Sequence, residues 1–414
     1  MEEWKSYSLP DIARFSQGKQ VPLEDQYEIC KPGFDRFVRI VDYTSGGVQT
    51  PRYVSCDDKY RAEASDIIMI RYGTPGRVYR GIEGIIANNM FKIIPNEDIV
   101  SKQFLFWYLS DDSIYQQLLA SQSSTTMPAI AFGNLKNIIV NVPPKKTQER
   151  IVSILNKLDD KIHNNNRINH NLEEQAQALF KSWFVDFEPF KDGKFIESEM
   201  GLIPEKLKTT RIEDLEHNIE SGRRPKGGIV EVEDGVPSIG AENIKGLGYY
   251  DYSKTKYVSK EFAESMKKGV IKGYELLIYK DGGKPGYFIP NYSIFGEGFP
   301  YDYMTTNEHV FILDFNDPGF NAFSYFYFQT EEVMNYLNAQ GGKAAIPGIN
   351  RNDVESILIF SPENELVQQF GLRVTPLIKA ILKRCVENRR LSIIRDTILP
   401  DLMSGKIELC KTIC

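Results

Sequence analysis

The sequence has 414 residues and a formal net charge of −6, with 42% hydrophobic and 26% charged residues. This length predicts two or more folding units, and the composition is that of a soluble globular protein. No apolar run approaches the roughly 20 residues of a membrane-spanning helix, and the polar start, MEEWKSYS, does not resemble a signal peptide. Five widely spaced cysteines without a CxxC pair predict reduced thiols in a cytoplasm, and four scattered histidines predict no zinc site.

The first 145 residues predict a globular domain of mixed α/β structure. They contain short β-rich runs separated by Gly/Pro turns, followed by an aromatic segment at 104–119 that predicts one helix. Residues 146–196 then predict a long helix, from Thr147 to Phe184, and a linker. Its seam steps by four and three residues, which is typical of a helix that packs along another helix. The seam consists of Ile151, Leu155, Leu158, Ile162, Asn165, Asn169, Leu172, Ala176 and Leu179.

Residues 197–362 repeat the first domain. Met127-Pro-Ala-Ile130 returns as Ile346-Pro-Gly-Ile349, and FLFWYL (104–109) returns as FSYFYF (323–328), both at an offset of 219. IIMIRYGTPG (67–76) resembles LLIYKDGGKPG (276–286) at an offset near 210, and EEWKSYSLPDI (2–12) matches EKLKTTRIEDL (205–215) at 203. Four matches in the same order indicate a duplicated fold with loop insertions in the second copy. We expect a pseudo-two-fold axis to relate the two copies.

Residues 363–414 predict a second long helix with the same seam. Adding 219 to the first seam gives Phe370, Val374, Leu377, Ile381, Arg384, Asn388, Leu391, Arg395 and Ile398. Pro376 lies inside this helix and predicts a bend or a late start. The predicted fold class is therefore α+β, with two mixed α/β domains separated by two long antiparallel coiled-coil helices.

The polar residues of both seams begin at the same two positions. Asn165 and Asn169 in the first helix correspond to Arg384 and Asn388 in the second. A polar residue at a core position costs stability but can fix the register of a helix pair, so these four residues are the predicted register residues. The alternative is a solvated helix surface that happens to be rich in asparagine.

Several motifs resemble the DNA-specificity (S) subunit of Type I restriction–modification enzymes over essentially the whole chain. They are LFKSWFVDFEPF (179–190), MGLIPEKLK (200–208), ILPDLMSGKI (398–407) and the turn ESGRRP…GVPSIGAENI (220–244). The family linker usually carries a Trp where Leu207 stands, whereas Trp4 occupies the equivalent place in the first copy.

The resemblance implies that each domain is a target-recognition domain, which reads one half of a split site in double-stranded DNA. The helix pair would space the two domains and dock two methyltransferase subunits. Those subunits would bring S-adenosylmethionine, and motor-nuclease subunits would complete the restriction enzyme. The chain itself would perform no chemistry and would hold no cofactor or metal.

The residues agree with an absence of catalysis. NVPP, which begins at Asn141, lacks the uninterrupted Asn-Pro-Pro-aromatic motif of adenine methyltransferases. Asp281-Gly-Gly-Lys284 has no second carboxylate at nuclease spacing, so we interpret it as a turn. No Gly-rich loop stands between a strand and a helix with a downstream acidic residue, as a nucleotide or S-adenosylmethionine pocket would require.

Charge is unevenly distributed for a DNA-binding protein. Residues 1–145 carry 16 basic and 17 acidic side chains, and residues 197–362 carry 17 and 25. Since phosphate binding favours a positive surface, we place DNA contacts on basic or polar residues in Gly-rich turns, where backbone can approach DNA closely. The alternative is ordinary solvated loop charge. The candidates are Lys19, Arg71, Tyr72, Thr74, Arg77, Ser124, Thr125 and Thr126 in the first copy, and Arg223, Arg224, Lys226, Lys280, Lys284 and Lys343 in the second.

Two other functions are compatible with parts of the sequence. A single-chain nuclease or methyltransferase would need an additional catalytic domain, but the repeat accounts for nearly all 414 residues. A non-enzymatic coiled-coil scaffold whose domains bind protein or RNA would show equal affinity for every duplex sequence. Sequence-selective DNA binding separates the recognition subunit from this scaffold.

Overall fold

The computed structural model describes residues 3–44, 50–120, 129–226, 234–282, 288–342 and 347–407. The chain forms two compact units, one of Met1–Asp160 with Leu391–Cys414 and the other of Lys161–Arg390. Both unit boundaries lie inside long helices, because each helix end packs on the globular part nearest to it. The division of the chain at residues 145, 196 and 362 stays a prediction.

The first unit is built from short strands and helices that precede one long helix. The strands are β1 (Lys5–Ser8), β2 (Ala13–Gln17), β3 (Asp35–Val38), β4 (Arg52–Val54), β5 (Arg61–Ala62), β6 (Ile67–Ile70), β7 (Val78–Tyr79), β8 (Gly84–Ile86), β9 (Met90–Pro95) and β10 (Ile139–Val142). The helices are α1 (Leu9–Ile12), α2 (Ile40–Thr44), α3 (Lys102–Ser110), α4 (Asp112–Ala120) and α5 (Lys145–Phe184).

Two sheets and one strand pair organise this unit. One sheet has the order β2-β9-β6-β7 with antiparallel neighbours, and the other has the order β4-β3-β8-β5, in which β3 and β8 are parallel. Strand β1 pairs with β10, which leads directly into α5. Apolar side chains of the first sheet, α3 and the start of α5 form one buried cluster that includes Phe91, Phe104 and Ile151. This core fixes the loops that follow β2 and β6.

The second unit contains the remaining strands and helices. The strands are β11 (Phe195–Ser198), β12 (Gly201–Pro204), β13 (Thr209–Arg211), β14 (Asn218–Ser221), β15 (Val236–Ile239), β16 (Lys256–Val258), β17 (Leu276–Tyr279), β18 (Tyr292–Ile294), β19 (Thr305–Thr306), β20 (Val310–Asp314) and β21 (Leu358–Phe360). The helices are α6 (Lys260–Glu264), α7 (Pro318–Tyr327), α8 (Glu331–Gly341), α9 (Arg351–Glu355) and α10 (Glu365–Met403).

The two units share one topology, as the repeated sequence predicts. The order β14-β20-β17-β18 matches β2-β9-β6-β7, and the parallel pair β15–β19 matches β3–β8. Strand β13 pairs with β21 as β1 pairs with β10. The Tyr108 hydroxyl donates to the Ile139 carbonyl oxygen at 2.8 Å, and Tyr327 donates to Leu358 at 2.6 Å. These equivalent contacts, 219 residues apart, indicate that the duplication is structural.

The single aromatic helix predicted in each copy is wrong, because two helices are present in both. Asp111 separates α3 from α4 with an extended backbone, and its carboxylate accepts a hydrogen bond from the Ser113 amide at 2.7 Å. Thr330 is extended in the same way before α8. A side chain that binds a backbone amide two residues ahead favours a turn over a continued helix.

The first long helix begins two residues before the predicted Thr147 and ends at Phe184 as predicted, whereas the second ends at Met403 and does not start late at Pro376. Helix α10 begins at Glu365 and contains Pro376 on an exposed face, one turn after Leu372, which is 76% exposed. The proline ring and the residue four positions before it both lie on the solvent side of α10, so this interruption does not disturb the buried side of the helix. Among the described residues, no helix is both long and apolar enough to span a membrane.

Helices α5 and α10 run antiparallel. In the second unit, Phe180 packs edge-on against Phe370 with ring centres 5.6 Å apart, and Asn165 contacts Asn388. A residue later in α5 therefore contacts a residue earlier in α10. In the first unit, the start of α5 and the end of α10 pack in one buried cluster, and Arg395 pairs with Asp159 at 3.0 Å.

The asparagines lie in the contact between these helices. Asn165 is fully buried, and its Nδ2 donates to Glu387 and to Asn388, both at 2.8 Å. Asn169 Nδ2 lies 3.5 Å from the Ile381 carbonyl oxygen, whereas Arg384 donates to the Ala380 carbonyl oxygen of its own helix. Asn165 is therefore not part of a solvated helix surface, which was the alternative interpretation of the asparagines. The register role of the four residues stays a prediction.

Candidate nucleic-acid interface

Four segments of the first unit meet beside the ends of β2, β6 and β8. We call residues 17–20, 71–77, 87–89 and 129–132 the first face. The Arg71 amide donates to the Asn89 carbonyl oxygen at 2.8 Å, and the Arg71 carbonyl oxygen accepts from the Ile130 amide at 3.1 Å. The Lys19 amide donates to Ile86 at 2.9 Å. Backbone hydrogen bonds therefore hold the segments together whatever their side chains are.

Glycine is required where two of these segments cross. A Cβ atom on Gly18 would lie 2.2 Å from the Ala87 carbonyl oxygen, which is closer than real Cβ contacts. The same crossing occurs in the second unit, where a Cβ atom on Gly222 would lie 1.7 Å from the Thr306 carbonyl oxygen. Glycine thus allows the turn after β2, or after β14, to lie flat on the neighbouring chain.

Arg71 is the most constrained cation of the first face. Its Nη1 donates to Gln17 Oε1 at 3.0 Å, and Gln17 Nε2 donates to the Asn88 carbonyl oxygen at 2.6 Å. The guanidinium carbon lies 5.1 Å from the ring centre of Tyr72, which is itself exposed. Among the described residues, no carboxylate forms an ion pair with Arg71, so its charge faces only neutral partners.

The other candidates of the first copy have varied surroundings. Lys19 is exposed with its Nζ 5.6 Å from the Tyr60 ring centre, and Thr74 is exposed in the turn. Arg77 pairs with Asp112 at 3.0 Å and lies 3.7 Å from the Tyr115 ring centre, so its side chain packs on α4. The candidates Ser124, Thr125 and Thr126 lie outside the described residues.

A second face in the second unit repeats this backbone geometry. We define it as residues 221–226, 280–282, 307–309 and 347–349. The Lys280 amide donates to the His309 carbonyl oxygen at 3.1 Å, and the Lys280 carbonyl oxygen accepts from the Ile349 amide at 2.8 Å. Lys280 thus has the backbone contacts of Arg71. The two residues occupy equivalent positions in the duplicated fold.

The second face differs in chemistry, because carboxylates pair with its cations. Lys280 Nζ contacts Asp281 at 2.6 Å, and His309 Nδ1 lies 3.2 Å from the same carboxylate. Arg224 forms an ion pair with Glu308 and lies 2.9 Å from His309 Nε2. Burial raises the pKa of the Glu308 carboxyl, but the hydrogen bond from Arg224, a backbone hydrogen bond and the nearby charges of Arg224 and His309 together hold this pKa below its usual range.

The remaining candidates of the second copy are more peripheral. Arg223 is exposed and donates to Ser265 Oγ at 2.9 Å, and Lys226 is exposed at the end of the turn. Lys284 and Lys343 lie outside the described residues. The described residues contain no group of three or more His, Cys, Asp or Glu side chains that could bind a metal ion.

The partners of the cations could not be identified from the sequence. They lie on the two faces, but they are not basic residues of Gly-rich turns and so were not among the candidates: Gln17, Asn88, Asp281, Glu308 and His309. A signal existed in the repeat: Asn88 and Asn89 precede β9 as Glu308 and His309 precede β20. Aligning the copies through these strands would have placed both pairs on the same surface.

Comparison with known proteins supports a single family. The family model for the Type I restriction modification DNA specificity domain matches residues 1–174. The chain is 28% identical over 474 aligned residues to the Type I restriction enzyme HindI specificity subunit of Haemophilus influenzae, covering 98% of this chain and 100% of that protein. It is 24% identical over 339 residues to the MjaIX specificity subunit of Methanocaldococcus jannaschii, covering 78% and 73%.

A solved structure shares the fold. The S subunit of a Type-I restriction-modification system from M. genitalium aligns with a TM-score of 0.54 and 16% sequence identity, covering 97% of this chain and 96% of that chain. At this identity, the comparison establishes the fold alone. The α+β fold class with two long helices is therefore confirmed.

Proposed function

We propose that this chain is a Type I restriction–modification DNA-specificity subunit, like the relatives to which it is similar, and that its two units each read one half of a split DNA sequence. The first face contacts one half-site, and the second face contacts the other. The observation that carries this proposal is the equivalence of Arg71 and Lys280. The same backbone contacts present a cation in both units, beside a turn that glycine allows to lie against the neighbouring chain.

The different partners of these cations suit different half-sites. Arg71 is bonded to a neutral amide, whereas Lys280 lies beside a carboxylate and an imidazole. Arginine and lysine bind guanine, carboxylates accept from the cytosine amino group, and amides can pair with adenine. Two faces with one backbone and different side chains can therefore bind different bases. This property is what an asymmetric target requires.

We assign the long helices a spacer function. The 40 residues of α5 extend about 60 Å at 1.5 Å per residue. The helix pair sets the gap between the half-sites and docks two methyltransferase subunits, which bind S-adenosylmethionine. Motor-nuclease subunits complete the restriction enzyme. In this proposal the chain is cytoplasmic, performs no catalysis and contributes sequence recognition alone.

The proposal is tested by selecting duplexes from a random pool with the full chain at fixed salt concentration. We expect one split motif, in which Arg71→Ala changes preference in one half and Lys280→Ala changes it in the other. A bidentate base contact is worth roughly 1–3 kcal/mol of discrimination. A scaffold that binds protein or RNA would instead retain all duplex sequences equally.

Replacing Glu308 by Gln is expected to strengthen DNA binding. Arg224 loses its ion-pair partner and becomes available to a phosphate, so the plot of log affinity against log salt should steepen by roughly one unit. The measurement is a titration with duplex DNA at several salt concentrations. Glu363→Gln is the control. Glu363 also forms an ion pair, with Lys208, but it lies outside the second face, so this substitution removes the same charge at another site. Equal changes in both variants would contradict the release of Arg224.

A further inference from the structure

We propose that Gln17 is a positioning residue, which orients Arg71 to read a guanine in the half-site of the first unit. This inference rests on the proposed function. It goes beyond that function because it assigns a base and explains how a residue that acts through Arg71 determines the preference for it.

The orientation of the Gln17 amide follows from its partners. Its Nε2 group donates to the Asn88 carbonyl oxygen at 2.6 Å, and a carbonyl oxygen can only accept. The amide oxygen is therefore directed to the other partner, Arg71 Nη1, at 3.0 Å. Asn88 itself is held to Gln20 by a 3.3 Å hydrogen bond between their side chains. The backbone of residue 88 thus determines which atom of Gln17 meets the guanidinium.

Arg71 has little freedom left to rotate. Both of its backbone groups are bonded, to Asn89 and to Ile130, and its guanidinium lies against the Tyr72 ring. Arg71 Nε is buried and has no hydrogen-bond partner among the described residues. Gln17 uses one N–H of Nη1. A ligand can therefore be bound by the remaining N–H groups of the two terminal amino nitrogens.

Two adjacent N–H donors match guanine better than the other bases. Guanine presents the acceptors O6 and N7 side by side in the major groove, whereas adenine presents the N6 donor in place of O6. The N6 amino group of adenine would face an N–H group of Arg71, and neither of these two donors would have an acceptor. Because Gln17 is neutral, no carboxylate on the first face offsets the positive charge of Arg71, whereas Asp281 lies 2.6 Å from Lys280 Nζ on the second face. The first face is thus prepared for guanine before DNA binds.

The test is selection of duplexes from a random pool with the full chain and four variants. Arg71→Ala identifies the position that depends on Arg71, where we expect guanine in the parent chain. Gln17→Leu, which removes the acceptor at similar size, should lower the preference for guanine there by roughly tenfold and leave other positions unchanged. Gln17→Glu loses the donor to Asn88 and places a carboxylate beside Arg71, so the preference for guanine should fall in this variant too. Gln26→Leu is the matched control, because Gln26 Nε2 likewise donates to a backbone carbonyl oxygen, that of Val21 at 2.9 Å, and Gln26 lies outside the first face.

A second measurement does not depend on the folding of any Gln17 variant. Replacing the selected guanine by 7-deazaguanine removes the N7 acceptor, so the parent chain should bind roughly tenfold more weakly and Arg71→Ala should not respond. Retention of the guanine preference by Gln17→Leu, or another base at the position that depends on Arg71, would overturn the inference and leave the proposed function intact. Absence of any motif in the parent selection would overturn both.

Discussion

Inserting four residues into each long helix, after Asp160 in α5 and after Arg390 in α10, is expected to lengthen the preferred gap between the half-sites by one or two base pairs. Both insertions lie at the unit boundary. Four helical residues add about 6 Å and rotate the chain by only some 40° beyond a full turn. Each face would still meet the groove, because base pairs are spaced by about 3.4 Å. The half-site sequences should not change.

Insertions of two residues at the same places are expected to abolish specific binding. They rotate one face by about 200°, so both faces cannot meet the same side of the duplex. Duplex selection measures motif and gap for both lengths, and thermal denaturation checks that both variants fold. A gap that stays unchanged with four added residues would show that the helices do not determine the spacing.

Replacing Gly18 by Ala is expected to eliminate the preference in one half-site. The added Cβ atom would lie 2.2 Å from a backbone oxygen, so the turn that carries Gln17 and Lys19 must move. A displacement of 1 Å would break the hydrogen bond between Gln17 and Arg71, since hydrogen bonds tolerate only a few tenths of an ångström. Duplex selection should then yield a motif with one half intact and the other degenerate.

Gly133→Ala is the control for this substitution. Gly133 follows the first face in the sequence, and apart from its two chain neighbours no described residue has an atom within 4 Å of the position its Cβ would occupy. The motif should remain complete in that variant. Gly222→Ala should eliminate the other half-site, because Gly222 crosses its neighbour in the same way in the second unit. Loss of both halves in Gly18→Ala would contradict independent reading by two faces.

The architecture could be predicted from the sequence because its signals are periodic or repeated. Matching segments in the same order revealed the duplication, and the heptad seam located both long helices. Interruptions at single residues escaped prediction. Asp111 and Thr330 divide the aromatic segments through local backbone geometry, and Pro376 is tolerated because it lies on the exposed face of α10. Neither effect has a distinctive pattern in one sequence.

The candidate faces could be predicted only in part. Gly-rich turns with cations located Arg71 and Lys280 on equivalent positions, but the partners of the cations could not be deduced. Arg224 pairs with Glu308, which is 84 residues away, and Arg71 bonds to Gln17, which is 54 residues away. Such contacts depend on sheet order. The net charge of residues 197–362 is also misleading by itself, because the second face contains four Lys or Arg residues and only two carboxylates.

The most direct test of the two-reader account is to sequence the methylated bases of DNA that has been exposed to this chain together with its methyltransferase subunits. The account predicts one split motif with two specified halves and a constant gap. Arg71→Ala should alter the bases of one half only, and Lys280→Ala those of the other. Methylation without a split motif, or a change in both halves after either substitution, would contradict the assignment of one half-site to each unit.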